Sequence, residues 1–385
     1  MNMKVLHVID SGGLYGAEMM LLALMEEQVR TGIVPVLGSI GGHSSGEKPI
    51  EAEARRRGLT VHPFRMTPGP NFAGALDIVR YAIKSGFDLF HSHGYKGDIL
   101  LGFLPRLVRR LPIVVTVHGW TSTGAADRMF VYEWLDGVSL ARMDRVVLVN
   151  HAMLEHPRIA GRRGFTVDVV ENGVGASFVP APVVAPQLLS FCATGAVVGG
   201  VGRLSREKGF DILLRAAARL LADGHDVKVV IIGDGGGRKE LEGIVAQLEL
   251  ENRVFMPGYL PDARRYLHLF TLFAMPSLTE GLPMVLLEAM QEGVPVVASA
   301  VGGIPELLAD GACGVLTQPG DPESVAQGIE RVLDEPKWAV GLARAAQTRV
   351  AERYSVEAMA AGYRNVYLKV VGGSGGETPW RNSWR

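Results

Sequence analysis

Cysteine is scarce in this sequence, and neither sign of charge is in excess. The 385 residues include two cysteines, Cys192 and Cys313, too few for a disulfide framework or a four-ligand zinc site. The 39 basic and 40 acidic side chains give a net charge of −1, so no overall positive field attracts nucleic acid. We therefore expect a reducing, cytoplasmic environment and no nucleic-acid partner.

Uninterrupted apolar stretches are missing as well. The opening residues MNMKVLHVID reach Asp10 too soon for a signal peptide and predict a first buried strand. The longest charge-free run, residues 172–202, contains Pro180, Pro182, Pro186 and several glycines, which break a membrane-spanning helix. We interpret residues 181–195 within this run as a linker.

Short β-branched runs alternate with helical patterns along most of the chain. The first series starts at KVLHVID, and a second starts at AVVGGVG after the proline-rich linker. Strands that alternate with helices predict right-handed βαβ crossovers and parallel sheets. The sequence thus predicts an α/β fold with two Rossmann-like, doubly wound domains that face each other across a ligand-binding crevice. The predicted segments are domains at 1–180 and 196–350, a C-terminal helix at 351–368 that packs on the first domain, and a disordered tail at 369–385.

Glycine is abundant, at 48 of 385 residues, and often falls between a strand and a helix. In SGGLYGAE, residues 11–18, Gly12 and Gly13 follow the opening strand and precede an amphipathic helix. Glycine lets a turn run close to a ligand, and a helix N-terminus offers amides and the positive end of a dipole. The segment is a candidate binding loop, although any strand-to-helix turn favours glycine.

A basic turn lies in VGRLSREKGF, residues 201–210, between a predicted strand and a predicted helix. Arg203 presents a planar fork of donors and Lys208 a compact charge, and both suit a diphosphate group. An exposed basic turn without a ligand is the other interpretation of these residues.

Two glutamates stand eight residues apart in SLTEGLPMVLLEAMQEG. Glu280 precedes a predicted helix that begins near Pro283, since proline is favoured at the first helical position, and Glu288 lies two turns into that helix. Amides at Met284 and Val285, with a carboxylate on either side, can hold a phosphate and the hydroxyls of an attached sugar together. The helix is too apolar for an ordinary solvent-facing pair of glutamates.

Histidines follow two other predicted strands. We interpret His91 and His93, in HSHG, as pointing to opposite faces of one strand, which would keep both from binding one metal ion. His118, in VHGW, lies at the carboxyl end of a strand, where the crevice is expected. A buried structural histidine is the alternative for His118.

Several phosphate and metal motifs are absent from the sequence: Asp-x-Asp, the Walker motif and a strict G-x-G-x-x-G. In the near match GDGGGR, Arg238 stands where the last glycine should be. Without a carboxylate pair to hold a metal on a diphosphate, positive charge has to come from Arg203, Lys208 and helix ends. We expect metal-independent chemistry and no cofactor.

In these motifs the sequence resembles the retaining glycosyltransferases of family 4, which have the glycosyltransferase B fold. The resemblance covers nearly the whole chain, from GG at 12–13 through HG at 118–119 and ENGV at 171–174 to GR…EKG at 202–209 and E-x7-E at 280–288. The last two segments, in that order and spacing, are specific. Where a frequent family version has Phe-Gly, this chain has Leu282 and Pro283, and proline has no amide to donate.

The resemblance implies an activity. It implies transfer of a hexose, with retention of configuration by same-face attack, from a nucleotide diphosphate sugar to a hydroxyl of a glycan or lipid-linked acceptor in polysaccharide biosynthesis. A uridine diphosphate sugar is the favoured donor and guanosine diphosphate mannose the next. The first domain would be the acceptor side and the second the donor side.

The resemblance also implies a role for each candidate residue. The donor diphosphate would bind Arg203 and Lys208, the ribose hydroxyls Glu288, and the transferred sugar Glu280. His118 and the two glycines at 12–13 would lie near the reacting carbon.

Three other functions compete with transfer. A hydrolase is suggested by G-x-S-x-G at Ser44, but a loose loop follows the serine where a nucleophile elbow needs an immediate helix. A nucleotide-sugar epimerase of similar two-domain fold would bind the same donor and would need no acceptor. A non-catalytic nucleotide-sugar-binding protein would keep the same residues.

Basic residues are concentrated in the first half of the chain. Residues 55–57 are three arginines, and Arg106, Arg109 and Arg110 share the segment PRLVRRLP with apolar side chains. Such mixing suits an anionic lipid surface. Two interpretations follow, a peripheral protein at the inner face of the cell membrane and an ordinary solvated basic helix.

Overall fold

The computed structural model describes residues 3–67, 69, 71–119, 128–160, 165–175 and 185–372, with the backbone alone for residues 128–133. Its contacts divide the chain into two compact units. The first contains the chain up to Asn172 together with the segment from Val356 on, and the second runs from Gly173 to Ser355. The predicted fold class, α/β with two Rossmann-like domains, is confirmed.

The first unit is built around a seven-stranded sheet. Its strands are β1 (Lys4–Ile9), β2 (Val34–Gly41), β3 (Thr60–Arg65), β4 (Leu89–His93), β5 (Ile113–Val117), β6 (Arg145–Leu148) and β7 (Val167–Val169). They lie in the order β3-β2-β1-β4-β5-β6-β7, with parallel neighbours. The helices between them are α1 (Gly16–Arg30), α2 (Pro49–Arg56), α3 (Phe72–Lys84), α4 (Tyr95–Gly102), α5 (Arg106–Arg109) and α6 (Arg128–Leu140).

The second unit repeats this plan with a six-stranded sheet. Its strands are β8 (Ala196–Val201), β9 (Val227–Ile232), β10 (Val254–Gly258), β11 (Leu272–Met275), β12 (Val296–Ser299) and β13 (Val315–Thr317), in the parallel order β10-β9-β8-β11-β12-β13. Its helices are α7 (Pro186–Cys192), α8 (Phe210–Ala222), α9 (Arg238–Gln247), α10 (Met284–Gln291), α11 (Ile304–Leu307), α12 (Pro322–Asp334) and α13 (Pro336–Arg353).

Both sheets are buried by helices, which explains their apolar strands. Every residue of β4 and of β5 is buried, as expected for a parallel strand that is covered on both faces. In the second unit α8 turns its apolar side to the sheet, and Phe210, Leu213 and Leu214 join the core there. The packed helices thus fix the positions of the strand ends, where the connecting loops begin.

Each sheet has one point where the direction of winding reverses. In the first sheet β1 lies between β2 and β4, and in the second β8 lies between β9 and β11. In doubly wound sheets, ligands bind beyond the carboxyl ends of the strands at such a point. The loops that follow β1 and β4, and those that follow β8 and β11, are therefore where a site is expected.

A last helix, α14 (Val356–Gly372), belongs to the first unit. Its Tyr367 is fully buried and accepts a hydrogen bond of 3.1 Å from Gln28 of α1. The contacts place the division between units after Asn172, upstream of the boundary near residue 180 that the sequence indicated. Residues 176–180 of the predicted first domain, 181–184 of the predicted linker and 373–385 of the predicted tail lie outside the described residues.

Two further sequence motifs can be placed. Ser44 lies in an exposed turn between the end of β2 and the start of α2, so it does not occupy a strand–turn–helix nucleophile elbow. In the described part of the chain, no helix has the length and apolar character needed to cross a bilayer.

Candidate active site

Lys208 and Glu280 form the centre of the candidate site in the second unit. Lys208 ends a 3-10 turn after β8, and Glu280 lies between β11 and α10. The Lys208 ammonium donates to Glu280 Oε1 at 2.6 Å. The Glu280 side chain is 8% exposed and that of Lys208 23%, so the pair is largely shielded from water. Two motifs that are far apart in sequence thus meet at the reversal point of the second sheet.

Ser277 contacts Glu280, and Glu207 contacts both Arg203 of the basic turn and the segment after β11. Ser277 Oγ donates to the same Glu280 oxygen at 2.7 Å. Arg203 donates to Glu207 at 2.7 Å, and the Leu278 amide donates to the Glu207 carbonyl at 2.8 Å. The basic turn is therefore tied to the segment after β11 through both side chains and backbone.

Two glycines let these segments approach each other. Gly209 follows Lys208 with a φ of 64°, and a Cβ there would collide with the Pro276 carbonyl oxygen. Gly302 has a φ of 54°, and a Cβ there would collide with the Glu280 carbonyl oxygen. Since both contacts are with backbone, a side chain at either position would displace the segment that carries Lys208 or Glu280.

Helix α10 starts at Met284, and Pro283 is its N-cap rather than its first helical residue. The Met284 and Val285 amides are among the first four of the helix, which have no acceptor within it. The positive end of the helix dipole adds to these donors, so an anion is favoured at this end of α10. Glu280 lies just before this helix start and Lys208 contacts Glu280.

Glu288 lies in the second turn of α10 and is partly buried. Burial raises its pKa from 4.5 to about 7, and the attraction of Arg264 opposes this while Asp262 and Glu292 add to it. A carboxyl group with such a pKa both donates and accepts hydrogen bonds near neutral pH. It suits a ligand that presents hydroxyl groups.

Gly12 and Gly13 form a turn between β1 and α1 of the first unit. Ser11 Oγ accepts a hydrogen bond from the Gly13 amide at 3.2 Å and donates to the Gly13 carbonyl at 2.5 Å. The space beside Gly12 is open, whereas a Cβ on Gly13 would meet the ring of Tyr15. The turn leaves backbone uncovered ahead of the α1 N-terminus, which is the geometry a binding loop requires.

His91 and His93 lie on the same face of β4, so their predicted opposite orientation is wrong. Successive side chains alternate along a strand, and residues two apart therefore share a face. The two ring centroids are 4.0 Å apart, and His7 of β1 lies 5.0 Å from His91. Ring nitrogens of these three histidines lie within 4.8 Å of one another.

Hydrogen bonds already occupy these ring nitrogens. The two nitrogens of His91 lie 2.7 Å from the hydroxyls of Tyr367 and Thr116. His7 Nε2 lies 2.8 Å from Gln28 Oε1 and His7 Nδ1 lies 3.0 Å from His93 Nε2. A metal ion would have to displace these bonds, so the cluster is a hydrogen-bond network.

His118 follows β5 and is partly exposed. Its Nε2 lies 3.4 Å from His93 Nδ1, so it forms the end of the network nearest the strand ends. Burial lowers the pKa of His118 to about 4, and the ring is neutral at physiological pH.

The candidate residues fall into one group in each unit: Gly12, Gly13 and His118 in the first, and Arg203, Lys208, Glu280, Met284, Val285 and Glu288 in the second. Sequence reasoning missed Ser277 and Glu207, which orient the charged pair, and Gln28, which anchors the histidines. The glycine pair after β12, which includes Gly302, was a visible signal for a loop packed on the site. No such sequence signal marks Ser277, Glu207 or Gln28, because their roles depend on contacts between distant segments.

Comparisons with known proteins identify the family of this chain. Residues 193–349 match the family described as glycosyl transferases group 1, and residues 15–178 match glycosyltransferase family 4. An uncharacterized glycosyltransferase of Methanocaldococcus jannaschii is 36% identical over 295 residues, 73% of this chain and 75% of that protein. The 2-deoxystreptamine glucosyltransferase of Streptomyces kanamyceticus is 32% identical over 311 residues, 73% of this chain and 77% of that protein.

A solved structure shows the same fold. HepE of Anabaena in complex with UDP-glucose superposes with a TM-score of 0.81 at 25% identity, covering 95% of this chain and 99% of that one. Fold and site together define a glycosyltransferase with the glycosyltransferase B fold. The chain belongs to glycosyltransferase family 4.

Proposed function

We propose that this glycosyltransferase moves a hexose from a nucleotide diphosphate sugar to a hydroxyl of a glycan or lipid-linked acceptor, with retention of configuration and without a metal ion. A uridine diphosphate sugar is the favoured donor, and guanosine diphosphate mannose is the next. The observation that carries the proposal is the Lys208–Glu280 contact beside the α10 N-terminus, at the reversal point of the second sheet. It combines a cation and helix amides for phosphate with a carboxylate for a sugar hydroxyl.

The positive groups act on the leaving group. When the bond between sugar and phosphate breaks, negative charge grows on the departing diphosphate and positive charge on the sugar ring. Lys208, Arg203 and the first amides of α10 would stabilise the diphosphate, since groups fixed before the reaction need no reorganisation. Glu280 holds Lys208 in place and would accept a hydrogen bond from the transferred sugar.

Glu288 would bind the ribose of the donor. Its raised pKa, about 7, lets it donate to one ribose oxygen and accept from another. Binding of this kind is present before and during the reaction, so it contributes to donor affinity more than to turnover.

The donor can be identified by thermal shift. A ligand at 100 times its dissociation constant stabilises the folded state by about 2.7 kcal/mol, so a panel of nucleotides and nucleotide sugars should rank the donors directly. We expect uridine diphosphate sugars to give the largest rise in Tm. A rise with none of the panel would contradict nucleotide-sugar binding, and the largest rise with a guanosine diphosphate sugar would replace the favoured base.

Metal independence is tested by chelation. Positive charge comes from Lys208 and Arg203, and the sequence lacks Asp-x-Asp, so transfer should survive EDTA at full rate. Loss of activity that manganese or magnesium restores would contradict this part of the proposal. An epimerase would convert the donor without an acceptor, and a binding protein would convert nothing.

We also propose that the first unit meets an anionic lipid surface, because a groove of about 610 Å³ there combines apolar and basic side chains. Residues from α3 and α5 line it: Leu76, Val79, Arg80, Ile83, Lys84, Leu107, Val108 and Arg110. Leu107 is 81% exposed and shares the groove with Ile83 and Val108, each 40% exposed, and adjoining exposed apolar side chains of this kind mark interaction surfaces. Basic charge beside exposed apolar side chains favours anionic headgroups.

The structure corrects the arginines assigned to this surface. Arg109 is 2% exposed and donates to Asp144, so it supports the fold instead. The arginines at 55–57 are paired with glutamates within the chain. Lys84 of α3, which was not expected, joins Arg110 in the basic set, whereas Arg80 lines the groove but is paired with Asp77.

Vesicle co-sedimentation tests the lipid proposal. Wild-type protein should sediment with anionic vesicles at low salt, and the double variant Leu107→Ser/Arg110→Ser should lose most of that binding. Val340→Ser, which removes an exposed apolar side chain from the second unit, is the matched control and should bind as wild type does. No sedimentation at low salt, or equal binding by the double variant, would leave a soluble acceptor as the better account.

A further inference from the structure

A chain of hydrogen bonds runs through the core of the first unit to His118. On one side of Gln28 it passes through His7 and His93, with separations of 2.8, 3.0 and 3.4 Å between successive groups. All of these side chains are buried except His118, which is partly exposed. A buried polar network of this kind is stable only if each donor meets an acceptor.

The Gln28 amide sets the direction of the chain. Its nitrogen donates to the Tyr367 hydroxyl at 3.1 Å, and its oxygen faces His7 Nε2. An amide oxygen only accepts, so His7 carries its proton on Nε2 and accepts at Nδ1. By the same rule His93 donates from Nε2 to His7 and accepts at Nδ1 from His118 Nε2–H.

The hydrogen bonds on the other side of Gln28 run in a consistent donor-to-acceptor order and connect the network to α14. Tyr367, which accepts from Gln28, donates to His91 Nδ1 at 2.7 Å. His91 Nε2 then donates to Thr116, and Thr116 to the Tyr363 hydroxyl at 3.0 Å. No junction has two donors or two acceptors face to face, so the assignment is consistent over its whole length.

We propose that Gln28, His7 and His93 are positioning residues that hold His118 in the Nε2–H tautomer, so that its Nδ1 accepts a hydrogen bond from a hydroxyl of the bound sugar. Among the residues that the structure describes, no hydrogen-bond partner is found for His118 Nδ1. The inference rests on the proposed transfer reaction, which supplies the sugar. It assigns a part in that reaction to three residues that act through His118 and do not themselves bind the sugar.

Neutral rings are required along the chain, since a protonated histidine would place two donors at one junction. Burial lowers the pKa of His7 and of His118 to about 4. Burial also lowers the pKa of His93 well below its ordinary value, and the neighbouring histidines add to the effect. The groups that oppose protonation of His93 are His91, His7 and His118, members of the same network, so the network stays neutral through the physiological range.

Nitrogen NMR of histidine-labelled protein tests the tautomer without any substrate. The His118 signals, assigned with His118→Gln, should be those of a fixed Nε2–H ring, with the two nitrogen shifts widely separated. Gln28→Met removes the anchor at similar volume, and His118 should then show averaged shifts. Tyr363→Phe removes a hydroxyl from the far end of the same network and should leave His118 unchanged.

Kinetics of transfer supply the second readout. Gln28→Met should lower kcat/KM about tenfold, the loss expected for one hydrogen bond, while Tyr363→Phe should stay within about twofold of wild type. A His118 ring with its proton on Nδ1, or averaged shifts in the wild-type protein, would overturn the proposal even if Gln28→Met failed to fold. If the ring is fixed as expected but no sugar is transferred, the proposed function fails and the positioning of His118 stands.

Discussion

At the scale of single residues, Lys208 is held by a carboxylate before any ligand arrives. Its ammonium contacts Glu280, and Ser277 holds the same carboxylate oxygen. An ammonium group has three donors, so two remain for phosphate oxygens while Glu280 keeps the third. The pair therefore fixes the position of the charge without preventing it from binding a diphosphate.

Removing either cation of the basic turn should weaken catalysis. Hydrogen bonds to charged groups contribute about 1.5–3 kcal/mol, so Lys208→Ala and Arg203→Ala should each lower kcat/KM about ten- to a hundredfold. Binding of a nucleoside monophosphate should be affected less than that of a diphosphate. Arg206→Ala removes an exposed charge from the same turn and is the control, expected to behave as wild type. Wild-type kinetics in both Lys208→Ala and Arg203→Ala would contradict the phosphate assignment.

Alanine substitutions at Glu280 and Glu288 should change different kinetic parameters. Glu280→Ala removes the carboxylate that we propose contacts the sugar and frees Lys208, so it should lower kcat. Glu288→Ala removes the carboxyl group that we propose binds the ribose, and it should mainly raise the donor KM. Steady-state kinetics with varied donor separate the two effects. The reverse pattern, with Glu288 governing kcat, would exchange the two roles.

The candidate residues that could be found from the sequence are those whose type and spacing form a recognisable motif. Arg203, Lys208 and Glu280 stand in turns between a strand and a helix, and the parallel sheet brings such turns to one edge. Ser277 and Gln28 could not be predicted, since nothing in their local sequence distinguishes them from other polar residues. The orientation of His91 and His93 was predictable from the period of a strand, and the prediction applied that period wrongly.

At the scale of elements, the turn that carries Lys208 depends on backbone that only glycine adopts there. Gly209 has a φ of 64°, and its neighbour in space is the Pro276 carbonyl. Gly224, at the end of α8, has a φ of 93° with open space around it. At both positions the left-handed conformation would strain a residue other than glycine. Only at Gly209 would the Cβ of that residue also collide with a backbone atom, the Pro276 carbonyl oxygen.

Alanine substitutions at Gly209 and Gly224 distinguish the effect of backbone strain from the effect of displacing the turn that carries Lys208. Both Gly209→Ala and Gly224→Ala should lose about 1–2 kcal/mol of stability from the left-handed conformation. Gly209→Ala should also shift Lys208 and lower kcat/KM by at least about tenfold, while Gly224→Ala keeps its activity. Circular dichroism melts and steady-state kinetics measure both effects. Equal activity in the two variants would show that the turn tolerates displacement.

Alternation of strands and helices was sufficient to predict parallel sheets in both units. The start of α10 was predicted to within one residue, because proline marks a helix N-terminus in either the N-cap or the first position. Arg109 was assigned to a basic surface because its segment reads as amphipathic. Its burial against Asp144 depends on the loop before β6, which the local pattern does not contain.

At the scale of the whole molecule, neutral buried histidines make the first unit sensitive to acid. The folded-state pKa of His7 is about 4, below the 6.5 of an unfolded chain, so the unfolded state binds more protons between these values. The stability this residue contributes is present above pH 6.5 and is lost as the pH falls. Glu288 acts oppositely, because its pKa of about 7 makes the second unit lose stability as the pH rises from 4.5 to 7.

Denaturant unfolding at two pH values tests this account. Each buried neutral histidine should cost about 1.4 kcal/mol per pH unit below 6.5, so the first unit should unfold at lower denaturant at pH 5.5 than at pH 7.5. Glu288→Gln removes the opposite pH dependence from the second unit, so the unfolding midpoint of that unit should differ less between the two pH values while that of the first unit is unchanged. Equal unfolding midpoints of the first unit at both pH values would contradict neutral histidines in the folded state.

We propose that the second unit binds a nucleotide diphosphate sugar so that its diphosphate departs while the sugar passes to an acceptor, and product analysis tests this most directly. Donor and a hydroxyl acceptor should be incubated with the protein, and the nucleoside diphosphate and the glycosylated product quantified together by chromatography and NMR. We expect equal amounts of the two, an anomeric configuration identical to that of the donor, and initial rates about ten- to a hundredfold lower for both products with Lys208→Ala at low donor concentration. An altered nucleotide sugar that forms without release of the diphosphate, or a product of inverted configuration, would contradict the account.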